Sequence, residues 1–457
     1  MAYTHDLVVL GAGPGGYVAA ARASTLGMRV ALIEKDAHLG GTCLHRGCIP
    51  TKALLHAADV YSELQYAPQI GISVEGVRVE WEKIQKYKSR VINANAGGVA
   101  QLMKSRKVDV ITGMGRLKGA HEVAVGDRIV RGAHILLAVG STPRALALAL
   151  DSNPRILNSD TALDLKEIPG SLVIIGGGVI GIEFASIFSR LGTKVTILEA
   201  LPRVLASSDP DCSEELVTQF KSKGVCFHTD VSVTQVLANS DSVKTLYTQQ
   251  DGEQVEIHSD YVLVSVGRMP LTSDIGIENT QIQLDQGFIR VNEWMQSDEP
   301  SIYAIGDCVN TPWLAHIASS EGILAVSHMA GQSAVPLNYD HTPVCVYSDP
   351  PVAWSGLSEE EAKKRGYEVK IGRFDMARNA KAGILGKKRG FIKFVTDAKY
   401  GEILGVHIVG PGATELLAEP AFAMQMEATI EDIANTVHAH PTLYEAIYEA
   451  AVITQEA

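Results

Sequence analysis

Cysteine is scarce: six residues in 457, of which only Cys43 and Cys48 lie close together. That is too few for the disulfide framework of a secreted protein and fits a reducing compartment, so a cytoplasmic location is expected. Basic residues are outnumbered, with 40 Lys and Arg against 52 Asp and Glu and a net charge of −12. This balance argues against recruitment to nucleic acid or an anionic membrane surface by general electrostatics. No apolar run reaches the ~18–20 residues a membrane helix needs. The opening MAYTHDLVVLGAG has no basic stretch followed by an apolar segment and cleavage site, so no secretory signal is expected. Glycine, by contrast, is frequent at 42 residues, in a composition 46% hydrophobic and 20% charged. Such a composition is globular α/β. The length predicts two to four domains, because single cores stop growing near ~250–300 residues.

The glycines are not spread evenly. DLVVLGAGPGGYVAAARASTLGMRVALIEK, near the start, is echoed by SLVIIGGGVIGIEFASIFSRLGTKVTILEA in mid-chain. Each copy predicts a β-branched strand, then G-x-G-x-x-G: Gly11, Gly13, Gly16 and Gly176, Gly178, Gly181. An amphipathic helix follows, closed at Gly27 or Gly192, and a second strand ends in Glu34 or Glu199. Both acids stand 23 residues after the first glycine of their copy. Such glycines permit a tight turn and let the backbone approach a pyrophosphate at a helix N-terminus, while the acid accepts a ribose hydroxyl. A lone G-x-G-x-x-G can be a mere turn, but strand, helix and acid recur here twice at equal spacing. Two dinucleotide units imply two dinucleotides, and a flavin with a nicotinamide is the natural redox couple. Glu199 would repel a 2′-phosphate and favours NAD over NADP, and Arg203 alone is not the basic cluster that NADP would need.

A third element, SIYAIGDCV, runs as a strand into Gly306-Asp307, where a carboxylate could meet a flavin ribityl chain or simply close a turn. Beyond about residue 341 no dinucleotide signature recurs. Strands such as FIKFV and GEILGVHIVG alternate with a helix over ATELLAEPAFAMQME, which predicts a separate α+β domain.

Two clusters carry candidate chemistry. Cys43 and Cys48 follow the first repeat, and Pro50 opens a predicted helix with Cys48 at its N-terminus, where the dipole stabilises a thiolate. Lys52 adds positive charge. The alternatives are a structural disulfide, which so short a loop makes modest, and half a zinc site using His45, for which no second ligand pair follows. Redox work is the favoured reading. Near the C-terminus stands HAHPTLYE. Thr442 and Glu445 form the T-x-x-E of a capping box, and Glu445 could equally orient His440 as a proton shuttle.

GTCLHRGCIPTKALL, GGGVIGIEF, AIGDC, LAHIASSEG and HAHPTLYEA together resemble the dihydrolipoamide dehydrogenases, within the class I pyridine nucleotide-disulfide oxidoreductases, over nearly the whole chain. The LAH and HPT-x-x-E segments favour this branch over glutathione reductase. Mercuric reductase would need a further C-terminal cysteine pair, which is missing. The resemblance implies an FAD-binding domain over 1–147, an NAD-binding domain over 148–274, a central domain completing the FAD site over 275–340 and a dimer-interface domain over 341–457. It implies a homodimer acting on a lipoylated carrier, with His440 and Glu445 of one subunit completing the site at Cys43 and Cys48 of the other. Cys43 is implied as the interchange thiol and Cys48 as the thiol beside the flavin, with no metal. Lys52 and Glu183 match positions that pair near the flavin, Asp307 the ribityl ligand, and Gly113, Ala315 and Gly267 further cofactor contacts. The LHRGC spelling is similar to that of enzymes serving branched-chain 2-oxoacid complexes. Three features depart from the family: Val139 for a usual threonine, ALALALDSNP without the usual Pro-Gly, and Tyr444 for a serine. Tyr444, with a short tail after the last helix, is expected at the active-site rim, where it would alter access. A glutathione-type reductase, or a flavoprotein serving only as a docking subunit, are the competing readings.

Overall fold

The computed structural model describes residues 3–149 and 153–457. They form two compact units. The first takes the chain up to Leu54, Glu82–Arg144 and Gly267–Tyr339, and the second takes Leu55–Trp81, Ala145–Val266 and Asp340–Ala457.

The first unit is built on a parallel sheet in the order Asp109–Thr112, Val30–Glu34, His5–Leu10, Arg128–Leu137, Ile302–Ala304. Its strands are aliphatic because both faces are covered. Leu7 and Val9 point into one apolar cluster, and Val8 and Leu10 into another on the opposite face. Helix Pro14–Thr25 packs on helix Ala315–Met329. Small residues allow it: a Cβ at Gly322 would come within 2.9 Å of the Gly15 carbonyl oxygen. A short antiparallel meander, Gly115–Gly119 and Glu122–Val125, runs into Arg128–Leu137.

The second unit repeats the plan. Its parallel sheet has the order Cys226–His228, Lys194–Leu198, Ser171–Ile175, Tyr261–Val264, Ile156–Leu157. A meander of Ser232–Ala238, Val243–Thr248 and Gln254–Ser259 again precedes the strand that joins the first one. The same unit holds a five-stranded antiparallel sheet in the order Val344–Val346, Val352–Gly356, Ile403–Val409, Phe391–Asp397, Val369–Asp375. The last helix, Glu445–Glu456, lies against it so closely that a Cβ at Gly372 would overlap Thr454.

The α/β class with two Rossmann-like units and an α+β C-terminal region is what the sequence leads one to expect. Local details differ. Leu26 and Leu191 are the helix caps, with Gly27 and Gly192 one residue beyond at φ 83° and 98°. The helix expected over ATELLAEPAFAMQME is two, Ala413–Leu416 and Ala418–Gln425. Pro420 has no N–H to donate to Leu416, so the first helix cannot run through it. The ALALALDSNP stretch crosses residues 150–152, outside the described residues.

A buried charge cluster braces the second unit. Lys393, 4% exposed, reaches Asp209 at 3.2 Å, Asp211 at 3.0 Å and Glu359 at 3.1 Å, and Asp209 is itself fully buried. Burial alone would raise the Asp209 carboxyl, but His407 and Lys393 pull it below its usual range. Burial opposes the Lys393 charge, yet Asp211, Asp209 and Glu359 push its pKa up. Lys393→Met strands a buried carboxylate, and should cost about 3–5 kcal/mol of unfolding free energy in denaturant titration. The sign with pH follows from the shifts. The depressed Asp209 contributes stability above the ordinary carboxylate range of ~3.9, lost as pH falls through its folded value. The raised Lys393 contributes below ~10.4, lost as pH rises through its own. His407, held low first by desolvation, takes up its proton below about pH 6.5 at a cost in stability, and only when charged does it pull on Asp209. The stability advantage over Lys393→Met should therefore be flat near neutrality and shrink at both extremes.

Candidate active site

The two glycine turns are superposable in their chemistry. Gly11 has φ 96° and Gly176 φ 105°. Side chains there would strike the backbone of Ala138 and of Ser265. A Cβ on Gly16 or Gly181 would overlap the carbonyl oxygen of Gly11 or Gly176. These four are glycine for internal reasons. Gly13 and Gly178 are not. Their φ values, −67° and −73°, are ordinary, and a Cβ on either would meet nothing within 4 Å. Each is the N-cap of its helix with no side-chain capping bond. Both turns thus leave open space before uncapped helix N–H groups, which is where a pyrophosphate fits.

The acids are equally matched. Glu34 Oε2 accepts the Ala12 N–H at 2.7 Å and Oε1 the Asp36 N–H at 3.0 Å. Glu199 Oε2 accepts the Gly177 N–H at 2.6 Å and Oε1 the Leu201 N–H at 2.8 Å. Each carboxylate clamps its glycine turn from 22 residues away. An ionised carboxylate has about four lone-pair sites, so both keep capacity for a ribose diol. The residues present therefore suit two dinucleotides. Arg203 is turned to the Ala206 carbonyl at 3.3 Å and Glu360 at 3.7 Å.

Cys43 lies in the short helix Gly41–Arg46, and Cys48 is the first residue of helix Cys48–Tyr66, with Pro50 third. Both are thiols and partly buried. A hydrogen bond with Cys48, then burial, then the Cys48 charge push the Cys43 thiol far up, against the pull of Lys52. Cys48, not Cys43, stands at a helix N-terminus, where the dipole favours a thiolate. Burial first, then the Cys43–Cys48 pair, pushes the Tyr17 phenol up. His45, considered as a zinc ligand, instead bonds the Leu39 carbonyl at 2.9 Å. Among the described residues no group of three or more His, Cys, Asp or Glu gathers as metal ligands, and no helix is long and apolar enough to cross a membrane.

Asp307 sits in a single turn, Gly306–Cys308, after strand Ile302–Ala304. Ser141 Oγ donates to its Oδ2 at 2.5 Å, and Arg268 Nε donates to Ser141 Oγ at 2.7 Å. Fully buried Glu321 accepts the Gly306 N–H at 2.7 Å and the Tyr339 hydroxyl at 2.9 Å. Burial raises the Glu321 carboxyl. Ser141, Arg268, Glu321 and Tyr339 escaped the sequence reading, although a glutamate inside the apolar run HIASSEGILAV was a visible signal. Ala315 opens helix Ala315–Met329, whose N-terminus has no side-chain cap. Gly113, at φ 147°, donates to the Glu34 carbonyl at 2.8 Å, and the Gly267 carbonyl accepts from Arg144 at 3.0 Å. Val139 packs against the apolar cluster under the sheet. Glu183 is buried in helix Val179–Arg190 and accepts the Tyr347 N–H at 3.0 Å, while Lys52 lies in the first turns of the Cys48 helix, near enough to act on Cys43.

In the second unit His440 Nδ1 meets Glu445 Oε1 at 2.8 Å, and Glu445 Oε2 accepts the Thr442 N–H at 2.7 Å. Orientation and local capping are therefore both present in one carboxylate. The Thr442 N–H first, and His440 after it, hold Glu445 below its usual range. The capping box itself does not form. The helix starts at Glu445, with Tyr444 as N-cap, and the Thr442 hydroxyl donates to the Ala439 carbonyl at 2.7 Å. The His440 side chain is 71% exposed, so Nε2 is available to an outside proton donor. Tyr444 is half-buried: its ring packs on His438 at 5.4 Å and its hydroxyl accepts the Ala439 N–H at 3.1 Å.

Two dinucleotide cradles and a dithiol at a helix N-terminus define a flavin- and nicotinamide-dependent disulfide oxidoreductase. The chain belongs to the pyridine nucleotide-disulphide oxidoreductase family, whose pattern matches residues 5–322, with the family's dimerisation domain matching residues 342–451. FAD and NAD are the cofactors of such an enzyme. The chain is 43% identical to dihydrolipoyl dehydrogenase of Bacillus subtilis (strain 168), over 99% of this chain and 98% of that protein. It is 40% identical to dihydrolipoyl dehydrogenase of Thermus scotoductus, over 98% and 97%. The crystal structure of LpdA from Mycobacterium tuberculosis superposes with a TM-score of 0.90 at 28% identity, covering 98% of each chain.

Proposed function

We propose that this protein is a dihydrolipoyl dehydrogenase, oxidising the dihydrolipoyl group of a carrier protein and passing the electrons to NAD⁺. The observation that carries the reading is the placing of the thiol pair, with Cys48 opening a long helix and Cys43 in the short helix before it. The names of its full-length relatives support the substrate class. FAD is assigned to the Gly11–Gly16 cradle, which shares its unit with Cys43 and Asp307, and NAD to the Gly176–Gly181 cradle. The four regions ending at 147, 274, 340 and 457 belong to this proposal, as do a homodimer and a cytoplasmic setting. The scarcity of cysteine, six residues in 457, supports the last. Phe422 and Met426, 67% and 63% exposed, stand with Val437 at 95% in the dimerisation domain, which suits a face covered by a second subunit.

In the cycle, Nε2 of His440 of the partner subunit takes a proton from one dihydrolipoyl thiol. The resulting thiolate attacks Cys43 Sγ, breaks the Cys43–Cys48 disulfide and leaves Cys48 as thiolate. The second substrate thiol, deprotonated in turn, displaces Cys43 from the mixed disulfide and closes the lipoyl ring. Cys43 recovers a proton, so one of the substrate's two protons stays on it and the other passes to solvent. The pair now holds two electrons more. Bound FAD and NAD⁺ supply the hydride-level chemistry that carries them away.

Steady-state kinetics with dihydrolipoamide should show a kcat/KM for NAD⁺ at least ~10²-fold above that for NADP⁺, since Glu199 opposes a 2′-phosphate. A faster reaction of glutathione disulfide with NADPH would move the protein to the glutathione branch. No turnover of any dihydrolipoyl substrate would overturn the assignment.

A further inference from the structure

His438 and Tyr444 remain unused by that cycle. His438 is almost fully buried, with a side chain 4% exposed. Its Nδ1 meets the Thr436 carbonyl at 2.8 Å and its Nε2 meets Glu419 Oε1 at 2.8 Å. The ring lies between Tyr444, at 5.4 Å, and Tyr448, at 5.8 Å. Two histidine–carboxylate pairs thus stand side by side on one short segment. In the first the imidazole is buried and its carboxylate 37% exposed; in the second, His440 with Glu445, the imidazole is exposed and its carboxylate 23% exposed.

The residue joining them is Ala439, and both of its peptide groups are held by side chains from the next turn. Its N–H donates to Tyr444 Oη at 3.1 Å, and its carbonyl accepts from Thr442 Oγ1 at 2.7 Å. Glu445 then ties the Thr442 N–H and the His440 ring with its two oxygens. The bonds close a ring through Tyr444, Ala439, Thr442, Glu445 and His440. A small side chain at 444 could not reach back to Ala439, nor stack on His438.

We infer that Tyr444 is a positioning residue for His440: with the His438 ring packed behind it, its hydroxyl fixes the peptide that carries the proton-accepting imidazole. The inference rests on the proposed dihydrolipoyl reaction for its kinetic consequence but not for its geometry. Proton transfer requires the imidazole within hydrogen-bond reach of the thiol, and a preorganised ring loses no time in unproductive orientations.

Tyr444→Phe removes the hydroxyl and keeps the ring. It should lower kcat for dihydrolipoamide oxidation by ~3–10-fold, the scale of one hydrogen bond, with KM within about twofold. Reduction of ferricyanide by NADH, which needs no thiol proton transfer, should be unchanged. In a Glu445→Gln background the same substitution should cost much less, because the ring of bonds is already open. Hydrogen–deuterium exchange of the peptide containing Ala439 should quicken by a similar factor. Unchanged exchange overturns the inference whatever the activity. So does an equal loss in the ferricyanide reaction, or full additivity with Glu445→Gln. A wild-type enzyme inert toward dihydrolipoamide refutes the functional reading instead, and the exchange measurement still decides the brace.

Discussion

Cys43→Ser and Cys48→Ser should each abolish dihydrolipoyl oxidation, by at least ~10⁴-fold in kcat, the scale lost when an obligatory nucleophile is removed. The two variants should nonetheless differ in colour. The Cys48 hydrogen bond and burial both push the Cys43 thiol up, so the reduced pair should carry its charge on Cys48. Cys48 also opens helix Cys48–Tyr66 and gains the N-terminal dipole, whereas Cys43 lies inside the preceding short helix. In Cys43→Ser a lone Cys48 thiolate remains and should give a long-wavelength absorption with bound FAD before any reductant is added. In Cys48→Ser the remaining thiol is the one that holds its proton, and the absorption should be missing even after mild reduction. The visible spectra of the two purified variants decide this. Identical spectra, or the band in Cys48→Ser alone, would reverse the assigned roles.

That asymmetry was half legible. Proline two residues after Cys48 signals a helix start, so the dipole at Cys48 could be read from spacing. The hydrogen bond that keeps the proton on Cys43 could not, because it depends on the short helix Gly41–Arg46 turning back toward Cys48. The repeat shows the same division. G-x-G-x-x-G and its acid are local patterns, and the two copies fold alike down to the N–H groups that Glu34 and Glu199 accept. The likeness extends further than the sequence betrays. Both units continue through an antiparallel meander into a strand that pairs with the first. Those meanders face solvent on one side and tolerate almost any alternating pattern, so their kinship leaves little trace in residue identity.

The polar contacts around Asp307 were hidden for another reason. Ser141 and Arg268 are 127 residues apart and meet across strands Ser141–Pro143 and Arg268–Pro270. Nothing local in either segment signals the other. Glu321 did carry a signal, a carboxylate within an apolar helix, but its partner, the Gly306 N–H, lies 15 residues earlier. A bulky residue between His440 and Glu445 suggests the rim, but that its ring packs on His438 and its hydroxyl reaches back to Ala439 could not be read from spacing. T-x-x-E misled. Glu445 does accept the Thr442 N–H, but Thr442 spends its hydroxyl on Ala439, and the helix begins two residues late.

Loss of the proton acceptor gives the second large effect. His440→Gln should lower kcat for dihydrolipoamide by ~10²–10⁴-fold, the usual contribution of a positioned acid–base group. Glu445→Gln should fall less, since it leaves the imidazole in place and removes only the carboxylate at 2.8 Å from Nδ1. Reduction of ferricyanide by NADH should survive in both. The sharper test asks which subunit supplies the imidazole. If His440 serves the cysteine pair of its partner, Cys43→Ser and His440→Gln homodimers are each dead, but a mixed dimer is not. One of its two sites combines both lesions, and the other combines intact Cys43 with intact His440. Random reassortment makes half the dimers mixed, so about a quarter of wild-type activity should return. If both residues acted within one subunit, every subunit would carry one lesion and no activity would return. Denaturing the two variants together, refolding them with FAD and assaying dihydrolipoamide oxidation separates the cases, with each variant refolded alone as the baseline. A return near a quarter makes the dimer obligatory for catalysis. It also explains why an imidazole 71% exposed in its own chain is no stray surface histidine, because its working surroundings belong to the other subunit.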